Sequence, residues 1–188
     1  MSTSSRSVAR SAAAIALASF LAMSDARAAD ASKAPPLPDA VSALSPQARV
    51  QGGGELRFLG LTVYDGFFWS PSRGYSLDLP FALDLHYKRP LQGGKIAERS
   101  VDEIAKLGLG TPEQRMRWGA AMKAIFPDVG KGDRLTGVNL PGAGARFFHN
   151  GKPIGEVTDP AFAQAFFGIW FDPKTSRPDF RKRLLGET

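Results

Sequence analysis

Apolar positions along this chain follow three rhythms, and each predicts a different kind of element. Phe81, Leu83, Leu85 and Tyr87 alternate with Ala82, Asp84, His86 and Lys88, the period-two pattern of a strand with one buried and one polar face. Trp118, Met122, Ile125 and Phe126 fall at i, i+4, i+7 and i+8, a stripe that turns one face of a helix toward a core. Thr111-Pro112-Glu113-Gln114 opens that helix with capping-box spacing and a first-turn proline, and Pro127 stops it. The third pattern has no period. Phe162, Phe166, Ile169 and Trp170 recur at helical spacing, yet Ala163, Ala165 and Phe167 make the opposite side apolar too. A helix apolar all round, here capped by Asp159-Pro160, lies inside a fold or against a ligand cavity.

Shorter signals complete the map. Asn150-Gly151 supplies the two positive-φ residues of a type I′ turn, joining strands at 145–149 and 153–158, with a further strand at 135–140. Residues 55–64 carry apolar side chains at both parities and predict one strand covered on both faces, followed by a loop over 69–79. Ser100-Val101-Asp102-Glu103 has capping-box spacing and predicts a short helix ending at Gly108. Strands, helices, strands and a helix in that order define an α+β fold, a mostly antiparallel β-sheet with helices packed on one face.

The amino-terminal 28 residues read differently. Arg6 and Arg10 precede an apolar run from Ala12 to Met23, and Ala26-Arg27-Ala28 fits a small-x-small cleavage site, which together describe a secretory signal peptide. The run is shorter than the ~20 residues of a membrane span, so no stable membrane anchor is expected after processing near Ala28. The predicted organisation is a signal peptide at 1–28, a flexible Ala/Pro-rich leader at 29–46 and one domain at 47–188, periplasmic or secreted. Losing residues 1–28 removes Arg6, Arg10, Arg27 and Asp25, which lowers the formal charge from +6 to +4. The remaining positive residues are scattered, and Arg181-Lys182-Arg183 reads as the last turn of a helix complementing its dipole, so no nucleic-acid partner is expected. The absence of cysteine excludes disulfides, thiolate metal sites and cysteine nucleophiles.

Few residues offer chemistry. His86 and His149 are the only histidines, both expected in solvent, and they make no metal site. Gly52-Gly53-Gly54 precedes a strand and so fails as a phosphate loop, and no serine occupies a nucleophile elbow. No cofactor is implied. Arg57 stands between Leu56 and Phe58 on an apolar strand, where a guanidinium needs a partner: either a ligand carboxylate or a carboxylate of the chain such as Glu55. Arg146 poses the same choice. Tyr64 places a hydroxyl near a strand end.

Several segments in this order resemble one family. Asn150-Gly151, the helix from Phe162 to Phe171 and the segment from Phe180 to Leu185 are similar to the carboxy-terminal signature of chalcone isomerase-like proteins. RFLGLTVYDGFFW (57–69), FALDLHYKR (81–89) and FPDVGKGD (126–133) extend the resemblance over roughly Val50 to Leu185, most of all toward an exported bacterial branch. The resemblance implies an open-faced sandwich and a small apolar or amphipathic ligand, since part of the family binds fatty acids. It also implies an alternative, a cofactor-free intramolecular lyase or isomerase acting on a chalcone-like conjugated substrate through an arginine, a tyrosine and a threonine. The threonine's place falls on Leu59, no tyrosine lies in 98–126, and Arg49 and Arg57 both compete for the arginine, so no catalytic residue is assigned. Non-catalytic binding is the leading expectation, with Arg57, Tyr64, Arg146, Phe166 and Trp170 as the ligand-binding candidates. A structural or partner-binding protein with a filled interior is the third.

Overall fold

Alternation along one strand sets the two faces of the whole molecule. The computed structural model describes residue 34 and residues 36–187; the expected signal segment at 1–28 lies outside them. Six strands, β1 (Arg49–Phe58), β2 (Leu61–Ser70), β3 (Phe81–Tyr87), β4 (Arg134–Leu140), β5 (Gly144–His149) and β6 (Lys152–Val157), form one sheet in chain order, each neighbour antiparallel. From β3, Phe81, Leu83, Leu85 and Tyr87 enter the main core, while Ala82 joins a second cluster on the opposite face with Val41, Val138 and Phe148. Tyr64 and Phe68 of β2, Leu135 of β4 and Ala145 and Phe147 of β5 join the main core, and helices α2 (Gly93–Lys106), α3 (Pro112–Ile125), α4 (Pro160–Phe171) and α5 (Pro178–Leu185) pack on its face of the sheet, which is the expected α+β architecture. A single turn of helix, α1 (Asp39–Ser42), covers the second cluster through Val41.

Local chemistry places the helices where the chain signals them. Thr111 accepts from the Gln114 amide at 3.2 Å and Gln114 Oε1 accepts from the Thr111 amide at 2.8 Å, a complete capping box at α3. Asp159 caps α4 with one carboxylate oxygen, accepting from Ala161 N at 2.9 Å. Its other oxygen accepts from Trp118 Nε1 of α3 at 2.8 Å. That one residue fixes the junction of two helices.

Four expectations need correction. Residues 55–64 are not one strand: the chain reverses at Leu59-Gly60, with φ of 49° and 77°, and β1 pairs with β2 from Arg49↔Ser70 to Phe58↔Leu61. Leucine carries no turn signal, so the reversal was hidden. α2 starts at Gly93, seven residues before Ser100, because Asp128 Oδ1 from a distant loop accepts the Gly93 amide at 2.9 Å and supplies the missing cap. Ser100 sits mid-helix and donates to Ile96 O at 2.9 Å. The leader reading fails from residue 36 on, since Pro38 directly precedes α1, Val41 is fully buried, and Arg134 Nη1 donates to Pro36 O at 3.0 Å. His86 is also not free in solvent. Its Nε2 meets Asp84 Oδ2 at 2.9 Å, and the fully buried Asp84 further accepts from Arg134 Nε at 2.7 Å and Thr136 Oγ1 at 2.8 Å. The side of β3 that reads as polar is therefore a closed ionic cluster.

Candidate functional site

The all-apolar helix does both things its composition allows. On one side Phe167 and Phe171 are wholly buried, packed edge-on against Phe81 of β3. On the other, Phe166, Ile169 and Trp170 border a cavity of about 330 Å³ between the sheet and α2, within the usual size range of small-molecule sites. The sheet contributes Tyr64, Leu83, Leu85 and Tyr87, together with Gly137, whose missing side chain lets the Phe147 and Phe166 rings lie close to the β4 backbone. A methyl group there would meet Phe147 at 3.3 Å and Phe166 at 3.5 Å.

Polar groups gather toward one end. Trp170 Nε1 donates to the Tyr64 hydroxyl at 2.9 Å, and that hydroxyl proton has no acceptor among the described residues. Burial pushes the Tyr64 phenol up to about 12, against the smaller opposing effects of the Trp170 bond and the Arg177 charge. Tyr64 is thus protonated at neutral pH and faces the cavity as a donor. Glu103 of α2 is buried nearby, accepting from Ser176 Oγ at 2.7 Å and Lys106 Nζ at 3.0 Å, with Arg99 Nη2 at 2.5 Å. Burial alone would raise its carboxyl, but these partners outweigh it and hold the group below the ordinary range. The rim carries Arg89, Lys95, Arg99 and Arg177, four cations against the single carboxylate of Glu103. The guanidinium groups of Arg99 and Arg177 lie 6.0 and 5.7 Å from the centre of the Phe58 ring, which forms part of the entrance.

Of the candidates named from the sequence, Tyr64, Phe166 and Trp170 come together on the cavity wall, and the two arginines do not. Leu56 and Phe58 line the cavity, so Arg57 between them points away; its side chain is 63% exposed and its Nε donates to Glu55 Oε2 at 2.6 Å. Arg146 lies between Ala145 and Phe147 of the main core and so falls on the opposite face, paired at 2.9 Å with Glu156 directly across on β6. Both arginines found partners within the chain. Leu59, at the place where the family resemblance puts a threonine, is in the exposed β1–β2 turn.

Glu103, Arg99 and Arg177 were missed. With α2 begun at Gly93, the buried positions Gly93, Ala97, Ser100 and Ile104 define an inner face that carries Glu103 as well. Starting the helix at Ser100 discards half of that face and its meaning. Arg177 sits in a loop before Pro178 and has no periodic signal. Arg181 and Arg183 turn onto the fold, Arg181 Nε donating to Phe171 O at 2.8 Å and Arg183 Nη2 to Glu55 O at 3.1 Å. Among the described residues no helix is long and apolar enough to cross a membrane, and no three His, Asp or Glu side chains cluster as a metal site.

A six-stranded antiparallel sheet in simple chain order, backed by four helices with an apolar cavity between the layers, defines an open-faced α+β sandwich. The family described as chalcone isomerase-like matches residues 92–186, half of the chain from the start of α2 through α5, and the chain belongs to that family. An uncharacterized protein of Haemophilus influenzae is 30% identical over 134 residues, covering 65% of this chain; the chain likewise spans only 65% of that relative. The crystal structure of a fatty-acid binding protein of Arabidopsis thaliana shares the fold, with a TM-score of 0.58 at 12% identity over 74% of this chain and 87% of that one.

Proposed function

We propose that this protein holds a small amphipathic molecule with an anionic head, of the fatty-acid class, and carries it without altering it, outside the cytoplasm. The observation that carries the reading is the cavity itself: apolar walls from sheet and α4, and a rim of four cations against one carboxylate. An acyl chain gains burial against Leu83, Leu85, Phe166 and Ile169, while Arg177 and the Tyr64 proton stand ready for a carboxylate. The fatty-acid binding named for the Arabidopsis structure supports the ligand class, and the signal-like residues 1–28 support export.

A second reading, isomerisation of a conjugated substrate, draws on the same hydroxyl. The protonated Tyr64 hydroxyl and the Arg177 charge can polarise a carbonyl oxygen, but the residue at the place of the expected threonine, Leu59, stands in the exposed turn, which favours binding.

Native mass spectrometry of the purified protein, with organic extraction of what it holds, tests both. A stoichiometric long-chain acid is expected, and in a fatty-acid titration Arg177→Gln should weaken binding at least tenfold, about 1.4 kcal/mol. A clean unliganded mass with no saturable uptake would overturn the carrier reading. Loss of the visible absorption of a hydroxychalcone faster than in buffer would shift the assignment to isomerase.

A further inference from the structure

Among the described residues, four large apolar side chains are exposed, and three of them share one hairpin tip: Phe58 at 46%, Leu59 at 86% and Leu61 at 54%. Leu59 is the informative one. It occupies the first turn position with φ of 49°, where a non-glycine residue costs roughly 1–2 kcal/mol and asparagine or glycine is the usual occupant. At 86% exposure its side chain gains almost nothing inside the protein in return. The contact that would repay it lies outside the molecule.

The surroundings indicate what that contact is. The tip stands at the cavity entrance, since Phe58 lines it beneath the guanidinium groups of Arg99 and Arg177. The nearby carboxylates are engaged, Glu55 with Arg57, Asp65 with Lys88, Glu98 with Lys95 and Glu103 with Arg99. Among the described residues Arg89 and Arg177 have no carboxylate within ion-pair distance, so the rim keeps a net positive charge. We propose that the β1–β2 tip is a wedge for an anionic lipid surface, Leu59 and Leu61 entering the headgroup and acyl boundary while Arg89 and Arg177 meet lipid phosphates. Apolar side chains that enter this boundary gain burial, and each basic residue held near an anionic surface adds to the attraction. A second copy of the chain fits poorly. It would bring like charges together, and three side chains fall far short of the ~800 Å² per partner of a stable interface. The inference goes beyond the proposed function; the two share the rim cations Arg89 and Arg177, while Leu59 and Leu61 serve the wedge alone.

Because the chain has no cysteine, one introduced thiol labels one site. An environment-sensitive fluorophore is placed at Leu59→Cys in the full chain, and at the exposed Ser72→Cys beyond the far end of β2 as a control. Phosphatidylglycerol vesicles should shift the label at 59 to the blue and leave the label at 72 unchanged. High salt or phosphatidylcholine vesicles should weaken the response, and adding Leu61→Asn should lower apparent partitioning at least tenfold. No shift at 59, equal shifts at both sites, indifference to salt and lipid charge, or a shift that follows protein concentration without vesicles overturns the proposal. The last of these would indicate a second copy instead. Ligand extraction is read separately, so either idea can fail alone.

Discussion

Two hairpins in this protein share one turn geometry and are built in opposite ways. In the β5–β6 turn Asn150 and Gly151 adopt φ of 49° and 79°; in the β1–β2 turn Leu59 and Gly60 adopt 49° and 77°. Asn150 is held on two sides, its Oδ1 accepting from Arg134 N at 2.9 Å and its Nδ2 donating to Asp133 Oδ1 at 2.9 Å. Behind it stands the buried Asp84–Arg134 pair. Leu59 has no such support. The closed turn is chemistry used for stability, and the bare one sits where the cavity opens, a common division between rigid scaffold and working edge.

The largest test of this contrast removes what anchors the closed hairpin. Asp84→Ala leaves the Arg134 guanidinium without its carboxylate partner and should cost about 3 kcal/mol in urea unfolding; a loss under about 1 kcal/mol would mean the pair does not brace the turn. The same pair sets an acid limit. Burial raises the Asp84 carboxyl, but bonds from His86 and Arg134 outweigh it and leave it below its ordinary 3.8. The native state therefore takes up this proton at lower pH than the unfolded chain. Its contribution is complete above the unfolded value and is lost as pH falls through the folded one, so acid unfolding of Asp84→Ala should lack that component.

Smaller in effect, Asn150→Ala should cost about 2 kcal/mol, by placing a Cβ-bearing residue without polar help at positive φ and stripping the Arg134 amide of its acceptor. Asn150→Gly, which keeps the φ and loses only the bonds, should cost about half as much by the same measurement. The smallest effect has the opposite sign: Leu59→Asn should raise stability by about 1 kcal/mol in thermal unfolding. Destabilisation on that change would show that Leu59 makes internal contacts and would end the contrast.

The same two turns explain what was legible in the sequence. Asn150-Gly151 announces itself because its residues suit the backbone they adopt, and the capping box at Thr111 and the cap at Asp159 do the same. Leu59-Gly60 and the start of α2 were hidden because their causes are not local: one turn carries the wrong residue for its shape, and one helix takes its cap from Asp128, 35 positions away. The aromatic half of the site was readable, since Tyr64, Phe166 and Trp170 follow strand and helix periods. The charged half was not. Arg57 and Arg146 look costly on their strands, but Glu55 and Glu156 satisfy them locally, while Glu103 and Ser176, the neighbour of Arg177, meet only when α2 and the loop before α5 are brought together.

Gly52 and Gly54 leave β1 open to close approach by α5. A Cβ at Gly52 would collide with Arg183 O at 2.1 Å and Leu184 O at 2.7 Å, so this bare stretch of β1 is the bed on which the backbone of α5 lies. The contact joins the start of the sheet to the last turn of the chain, a separation that slows its formation. Until α5 docks, the Gly52 and Gly54 face of β1 stays uncovered on a strand that pairs with β2 alone, open to contact with other chains. Cleavage before Pro178 should therefore cost solubility as well as stability.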